Sequence, residues 1–283
     1  MDPSGRPKRA FVLGGGGFRG AAEVGMLKAL AEAGVEPDLI VGTSVGALNG
    51  AIVASRPLTK GVDRLEAVWL SDDFGAVFSE GLTERAANFV RHRTHLHSSE
   101  PLRRLIDHWA PATLIEDLDI PFQCVAARIE TSSEVWFSEG PLADAVLASA
   151  AVPGLFAPVA IRGEHYVDGG VVNSIPISRA LELGAEEIWV LQVGNVDVPL
   201  QLPRQAWDVA IVAFEVARRH RFHRDLETLP EHVTLRVLPT GADHVDRYND
   251  PGRLRYRASD SIPDAIERAH RAAGDFLDEV LAR

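Results

Sequence analysis

The feature that most narrows what this chain can fold into is a unit that occurs twice within its first 55 residues: a short apolar run, a cluster of glycines, then a helix-period pattern. Phe11-Val12-Leu13 leads into the glycines at 14–17, and Val24, Leu27 and Ala31 then recur at helical spacing up to Gly34. Leu39-Ile40-Val41 leads into residues 42–46, followed by a small-residue helix over 47–55 that can pack close to a sheet. Two successive strand–helix units predict a parallel sheet with right-handed crossovers, whose ligands sit beyond the carboxyl ends of the strands. Both glycine turns would lie at those ends.

Residues 57–111 are charged and mostly helical in pattern, with His92, His95 and His97 near a helix end, and read as an insertion flanking or covering the site. Strand-like segments return at 122–129 and 135–137, followed by a helix around 143–150 and a stretch broken by Pro and Gly through Pro158. A strand pair follows around Ile161 and Tyr166-Val167, with Asp168-Gly169-Gly170 directly behind it. Further strands are expected at 188–193 and 233–238, with helices at 205–226 and 262–282. A length of 283 residues and 46% hydrophobic content suffice for one packed unit. The expectation is a single domain over 1–283, its motifs within 9–191 and its fold completed by 192–283.

The formal charge of -11 opposes tight binding to nucleic acid, and to anionic lipid unless a local apolar or basic patch intervenes. No apolar run approaches the roughly 18 to 20 residues that crossing a bilayer requires. The polar, basic start lacks the pattern of a secretory signal, so the expected location is cytoplasmic, with transient contact at a membrane periphery as an added reading. Cys124 is the sole cysteine, which rules out an intramolecular disulfide and a multi-cysteine zinc site and reads as a buried, inert thiol.

Gly42-Thr43-Ser44-Val45-Gly46 fits a nucleophile elbow, in which a serine sits on a sharp strand-to-helix turn. The turn strains the serine backbone, and side chains at Gly42 or Gly46 would collide with neighbouring elements. Ser44 at a helix N-terminus also lies in the positive end of the helix dipole. The alternative is a plain capping serine. Gly15-Gly16-Gly17-Phe18-Arg19-Gly20 satisfies a dinucleotide fingerprint, but Asp38 precedes the second strand instead of ending it, so the ribose anchor is missing. The same glycines can present bare N–H groups to the oxygen of a tetrahedral intermediate. Arg19, a cation at the start of a helix, suggests a specific partner: the glycine loop, a phospholipid phosphate or a surface carboxylate. Asp168, exposed by the glycines at 169 and 170, can act as general base for Ser44; taken alone, Asp-Gly is a common turn dipeptide.

Together these three motifs resemble the signatures of the patatin-like phospholipase family, G-G-G-x-R/K-G, G-x-S-x-G and D-G-G/A in that order, with no departure at any motif position. Residues 148–158 also look like the segment that precedes the aspartate turn in that family. The resemblance covers about Arg9 to Leu191. It implies a three-layer α/β/α fold with a mainly parallel central sheet and hydrolysis of acyl esters in lipids without metal or cofactor. It further implies Ser44 as nucleophile, Asp168 as base, and an oxyanion hole from Gly15, Gly16 and Gly17 with Phe18 or Arg19. The remaining motif positions, Gly20, Gly42, Gly46, Gly169 and Gly170, support that geometry. A lipid or acyl ester is the implied partner; the oligomeric state is not implied.

Other readings stay open at this level. An α/β hydrolase would recruit His220, His223 or His244. The histidines at 92, 95 and 97 invite a metal, against a solvated basic patch made with Arg91 and Arg93. Trp207, Ala210, Ile211, Phe214 and Ala217 form an apolar stripe beside Arg218, Arg219, Arg221 and Arg224, which reads as core or as a lipid-facing surface. A non-catalytic lipid- or partner-binding regulator and a lipid acyltransferase on the same fold complete the alternatives.

Overall fold

The computed structural model describes residues 8–77, 95–193, 199–200, 202–203, 205–242 and 261–282. The chain runs β1 (Arg9–Leu13), α1 (Ala21–Glu32), β2 (Leu39–Thr43), α2 (Val45–Ala54), α3 (Leu58–Trp69) and α4 (Asp72–Ala76). It continues through β3 (His95–His97), α5 (Glu100–Trp109), β4 (Phe122–Arg128), β5 (Ser133–Phe137), α6 (Leu142–Ser149), β6 (Gly154–Phe156), β7 (Val159–Ile161) and β8 (Glu164–Asp168). Then come α7 (Ile177–Glu182), β9 (Glu187–Leu191), α8 (Ala206–Glu227), β10 (Thr234–Val237) and α9 (Ser261–Leu281).

Among the described residues, eight strands form one sheet ordered β10-β9-β1-β2-β4-β8-β7, with β5 also on β4. The pairs from β10 to β4 along that order are parallel, and β5, β8 and β7 join antiparallel. Parallel strands covered on both faces need apolar side chains on both, which is why β1, β2 and β9 read as continuous hydrophobic runs. Phe11, Leu13, Ile40, Trp189 and Leu191 face one core with side chains from α1, α2, α3, α5, α6 and α9. Ala10, Val12, Leu39, Val41, Ile188 and Val190 face a second core with Ile177 and Ala180 of α7 and Phe222 of α8. The fold is therefore a three-layer α/β/α arrangement.

The register of β4 places the site. Its residues 122–125 pair with β2, 124–128 with β5 and 126–128 with β8. A strand has two edges, and β5 overlaps both other partners, so β2 and β8 must share the opposite edge, end to end. Running antiparallel, their carboxyl ends meet: Thr43 pairs with Val125 and Asp168 with the next residue, Ala126.

Two expectations are corrected here. His95 and His97 lie in a strand, β3, paired with β6, and His97 is buried with its ring 6.0 Å from that of Phe156. They are not part of a helix end or a solvated patch; His92, Arg91 and Arg93 lie outside the described residues. On α8 the apolar stripe does not all face a core: Phe214 is 39% exposed and Ala217 is exposed, whereas Arg218 is buried. Arg221 also turns to the protein, reaching Ser178 and Asp225. The side chains of Trp207, Ala210 and Ile211 lie outside the description.

Candidate active site

Ser44 closes β2 and precedes α2 with φ 57° and ψ -123°, a backbone conformation that a non-glycine residue holds at a cost of about 1–3 kcal/mol and that recurs at functional turns. The turn is tight enough that a β-carbon on Gly46 would stand 2.4 Å from the Leu13 carbonyl oxygen. Ser44 is 7% exposed and its Oγ–H donates to Asp168 Oδ2 at 2.6 Å, the short distance expected of a hydroxyl bound to a carboxylate. The other carboxylate oxygen, Oδ1, accepts the Gly170 N–H at 2.7 Å. Asp168 is 4% exposed, and burial pushes its pKa up to about 6, with the Ser44 hydroxyl and the Gly170 N–H pulling it back.

Four ties fix these two side chains relative to each other. The hydroxyl of Ser149, at the end of α6, accepts the Ser44 N–H at 3.0 Å, and the Ala151 carbonyl accepts the Asp168 N–H at 2.9 Å. One short segment after α6 therefore holds both turns. Thr43 Oγ1 donates to the Asn173 carbonyl at 2.8 Å, and the Gly15 N–H donates to the Ser174 carbonyl at 2.8 Å. Ser149 stands out only as the polar residue of the apolar run Ala145–Ala151; its task is invisible without the three-dimensional pairing.

The glycine loop passes over Ser44: a β-carbon on Gly15 would lie 3.4 Å from Ser44 Cβ. Its amides are not equivalent. The Gly15 N–H is engaged by Ser174, and the Arg19 N–H donates to the Gly16 carbonyl at 3.3 Å. Those two amides are not open to a ligand, which narrows the five-residue oxyanion expectation. Among the described residues no acceptor meets the Gly16 or Gly17 N–H, and Gly17 holds φ +59°, which a side chain would strain. Phe18 packs edge-on against Phe74, ring centroids 6.3 Å apart. Beneath the loop, Glu23 is fully buried and accepts from Asn49 Nδ2 at 2.7 Å, while Asn49 takes the Trp69 indole N–H at 2.9 Å and donates to the Gly20 carbonyl at 3.1 Å. Burial holds the Glu23 carboxyl well above the usual range, and Asn49 pulls it back.

No histidine takes part in these contacts. His220 and His223 are exposed on α8, His165 pairs with Glu130 and His270 with Glu32, and His244 lies outside the described residues. Asp38 accepts the Arg9 N–H at 2.7 Å at the amino end of β1, far from the glycine turns and from any ribose bound there. Among the described residues no cluster of metal-ligating side chains occurs.

A family model, Patatin-like phospholipase, matches residues 11–181, a span that holds all three motifs. The chain belongs to the patatin-like phospholipase family. Sequence relatives agree with that membership. Lysophospholipase nte1 of Aspergillus terreus is 32% identical over 195 residues, covering 66% of this chain and 12% of its own length. Patatin-like phospholipase domain-containing protein 7 of Rattus norvegicus is 31% identical over 190 residues, covering 66% and 14%. An uncharacterized NTE family protein of Mycobacterium bovis is 32% identical over 188 residues, covering 65% and 48%. The chain thus spans half or less of the length of these relatives. Among solved structures, VipD from Legionella pneumophila superposes with a TM-score of 0.50 over 96% of this chain and 67% of that one at 14% identity, a likeness of fold.

Proposed function

We propose that this patatin-like protein is a serine hydrolase of lipid acyl esters, with Ser44 as nucleophile and Asp168 as general base. The observation that carries the reading is the 2.6 Å hydrogen bond from the Ser44 hydroxyl to a carboxylate buried out of water. The lysophospholipase and patatin-like relatives point to the same substrate class.

In this reading Ser44 Oγ attacks the ester carbonyl carbon as its proton passes to Asp168 Oδ2. The carbonyl oxygen becomes an oxyanion, which the Gly16 and Gly17 N–H groups and the positive end of α2 stabilise. Asp168 then returns the proton to the leaving alkoxide, and the acyl group stays on Ser44. Water resolves the acyl-enzyme, giving its proton to Asp168, and Asp168 passes it back to Ser44 as the fatty acid departs. A carboxylate is a far weaker base than an alkoxide, so the raised pKa of Asp168 and the exclusion of water both help it hold the proton during attack. No step uses a metal or a cofactor. A cytoplasmic protein meeting lipid at a membrane periphery fits this chemistry. Among the described residues no helix is long and apolar enough to cross a membrane.

The test is covalent trapping with a fluorophosphonate followed by peptide mapping. Label on Ser44, lost in Asp168→Asn together with turnover of a lysophospholipid, is the expected result. An unlabelled Ser44 in folded protein would transfer the reading to a lipid- or partner-binding regulator. Product analysis with an added alcohol acceptor separates hydrolysis from acyl transfer.

A further inference from the structure

The family match ends at residue 181, yet a side chain from beyond it is built into the wall of the site. Arg218, midway along α8, is 6% exposed, and a buried guanidinium is costly unless acceptors and opposite charge surround it. Here they do so incompletely. Nε–H donates to Ser174 Oγ at 3.0 Å, Nη1 lies 3.4 Å from Glu215 Oε2, and Nη2 meets no acceptor among the described residues. Burial pushes the Arg218 pKa down and Glu215 restores part of it, while Arg19, on the glycine loop, adds repulsion. An apolar side chain of similar size would occupy the same place at less cost, so stability alone does not explain an arginine.

What the arginine holds is Ser174. That residue follows the Asp168 turn, and its carbonyl accepts the Gly15 N–H at 2.8 Å. Its Oγ lies 3.1 Å from where a Gly15 β-carbon would stand and 3.7 Å from the equivalent point on Gly170. Ser174 is thus gripped by Arg218 through its side chain and grips the glycine loop through its backbone. The two amides that follow Gly15 meet no acceptor among the described residues.

We propose that Arg218 is a positioning residue that acts through Ser174 to hold the glycine loop with its Gly16 and Gly17 N–H groups turned to the oxyanion formed at Ser44, a role that rests on the hydrolase reading above. Arg218 touches no reacting atom in this role. It ties the segment after the family match to the chemistry, and its loss should weaken the transition state more than substrate binding.

The experiment measures p-nitrophenyl butyrate hydrolysis by the full chain carrying Arg218→Met, Ser174→Ala or both. Removing an oxyanion donor outright costs about 100- to 1,000-fold in kcat, so a loop left loose should lose about 10- to 30-fold. KM should stay within about twofold, and the double variant should fall no lower than the worse single, because both changes cut one link. Arg218→Lys, lacking the planar fork, should recover only part of kcat. Unchanged kcat in folded Arg218→Met, or losses that multiply in the double variant, would overturn the proposal. Should Arg218→Met not fold, Ser174→Ala removes a single hydroxyl and must show the same kcat loss.

A second readout separates this proposal from the hydrolase reading. In a Ser44→Ala background, where no turnover occurs, Arg218→Met should speed hydrogen exchange at the Gly15 N–H by about tenfold or more. Unaltered exchange there would overturn the Arg218–Ser174–Gly15 coupling even if the wild-type protein is an esterase. Altered exchange in a protein that neither hydrolyses esters nor labels at Ser44 would count against the hydrolase reading alone.

Discussion

At the scale of single residues, Asp168 joins stability to activity. Its carboxyl is worth more to the fold neutral than charged, because burial raises its pKa from 3.8 to about 6. Below pH 3.8 it is protonated in folded and unfolded chains alike and costs nothing. Between pH 3.8 and about 6 the unfolded chain ionises it while the folded chain keeps it protonated, so stability is lost over that window, by about 3 kcal/mol in all, and is flat above it. Asp168→Asn escapes the cost. Urea denaturation should show the variant gaining on the wild type between pH 4 and 6 and staying ahead at pH 7, and parallel curves would contradict the assignment. In the wild type the acidic limb of kcat/KM should fall with an apparent pKa of about 6, because in the proposed mechanism only the carboxylate can take the Ser44 proton. Ser149 offers a second residue-scale check. Ser149→Ala strips the Ser44 N–H of its acceptor in a buried place, which should cost about 1–3 kcal/mol of stability. Turnover should fall with it, since the same bond fixes the backbone that aims Ser44 Oγ; full activity in that variant would show the elbow to be self-supporting.

At the scale of elements, the site is a meeting of strand ends. Strand β2 delivers Ser44 and β8 delivers Asp168 from opposite directions along one edge of β4, so the register of β4 sets their separation. Helix α2 can start this close to the sheet because Gly46 faces the Leu13 carbonyl oxygen at a distance no side chain tolerates. Gly46→Ala must push α2 away from β1, and should cost about 3 kcal/mol or more. It should also abolish labelling at Ser44; a melting temperature unchanged from wild type would show that the helix approach is looser than the geometry implies. The stretch read as an insertion over 57–111 illustrates what periodicity misses. Three residues, His95-Leu96-His97, carry too short a pattern to be told from a helix end, and it is the pairing with β6 that makes them a strand.

At the scale of the molecule, the segments after residue 182 complete the sheet and both helical layers. Strands β9 and β10 extend the parallel sheet beside β1. Helix α9 crosses α1 so closely that a β-carbon on Gly25 would stand 2.2 Å from the Ile266 carbonyl oxygen. The opposite layer closes over the Asp168 turn through α8. Cys124 sits fully buried on β4, at the heart of this arrangement, and burial drives its thiol pKa upward. Its reaction with a disulfide reagent therefore reports opening of the whole sheet. Labelling should be negligible in native protein and should follow urea with the midpoint seen by circular dichroism; fast native labelling would reveal a local opening at β4.

The motifs and the parallel sheet were legible in the amino-acid order because they depend on local rules, whereas the meeting of Ser44 with Asp168, 124 residues apart, was implied by the family resemblance. Glycines mark turns that side chains would block, and apolar runs mark strands covered on both faces. The burial of Arg218 was not legible, since four arginines on one helix look alike until packing selects the one that is buried. Nor was the inequality among the loop amides: whether a backbone N–H is open depends on Ser174, distant in sequence and adjacent only in space. Composition and spacing determined which groups could do chemistry here. The tertiary structure decided which hydrogen-bonding groups were already engaged, because that depends mostly on contacts between segments distant in sequence, as when the Gly15 N–H meets the Ser174 carbonyl.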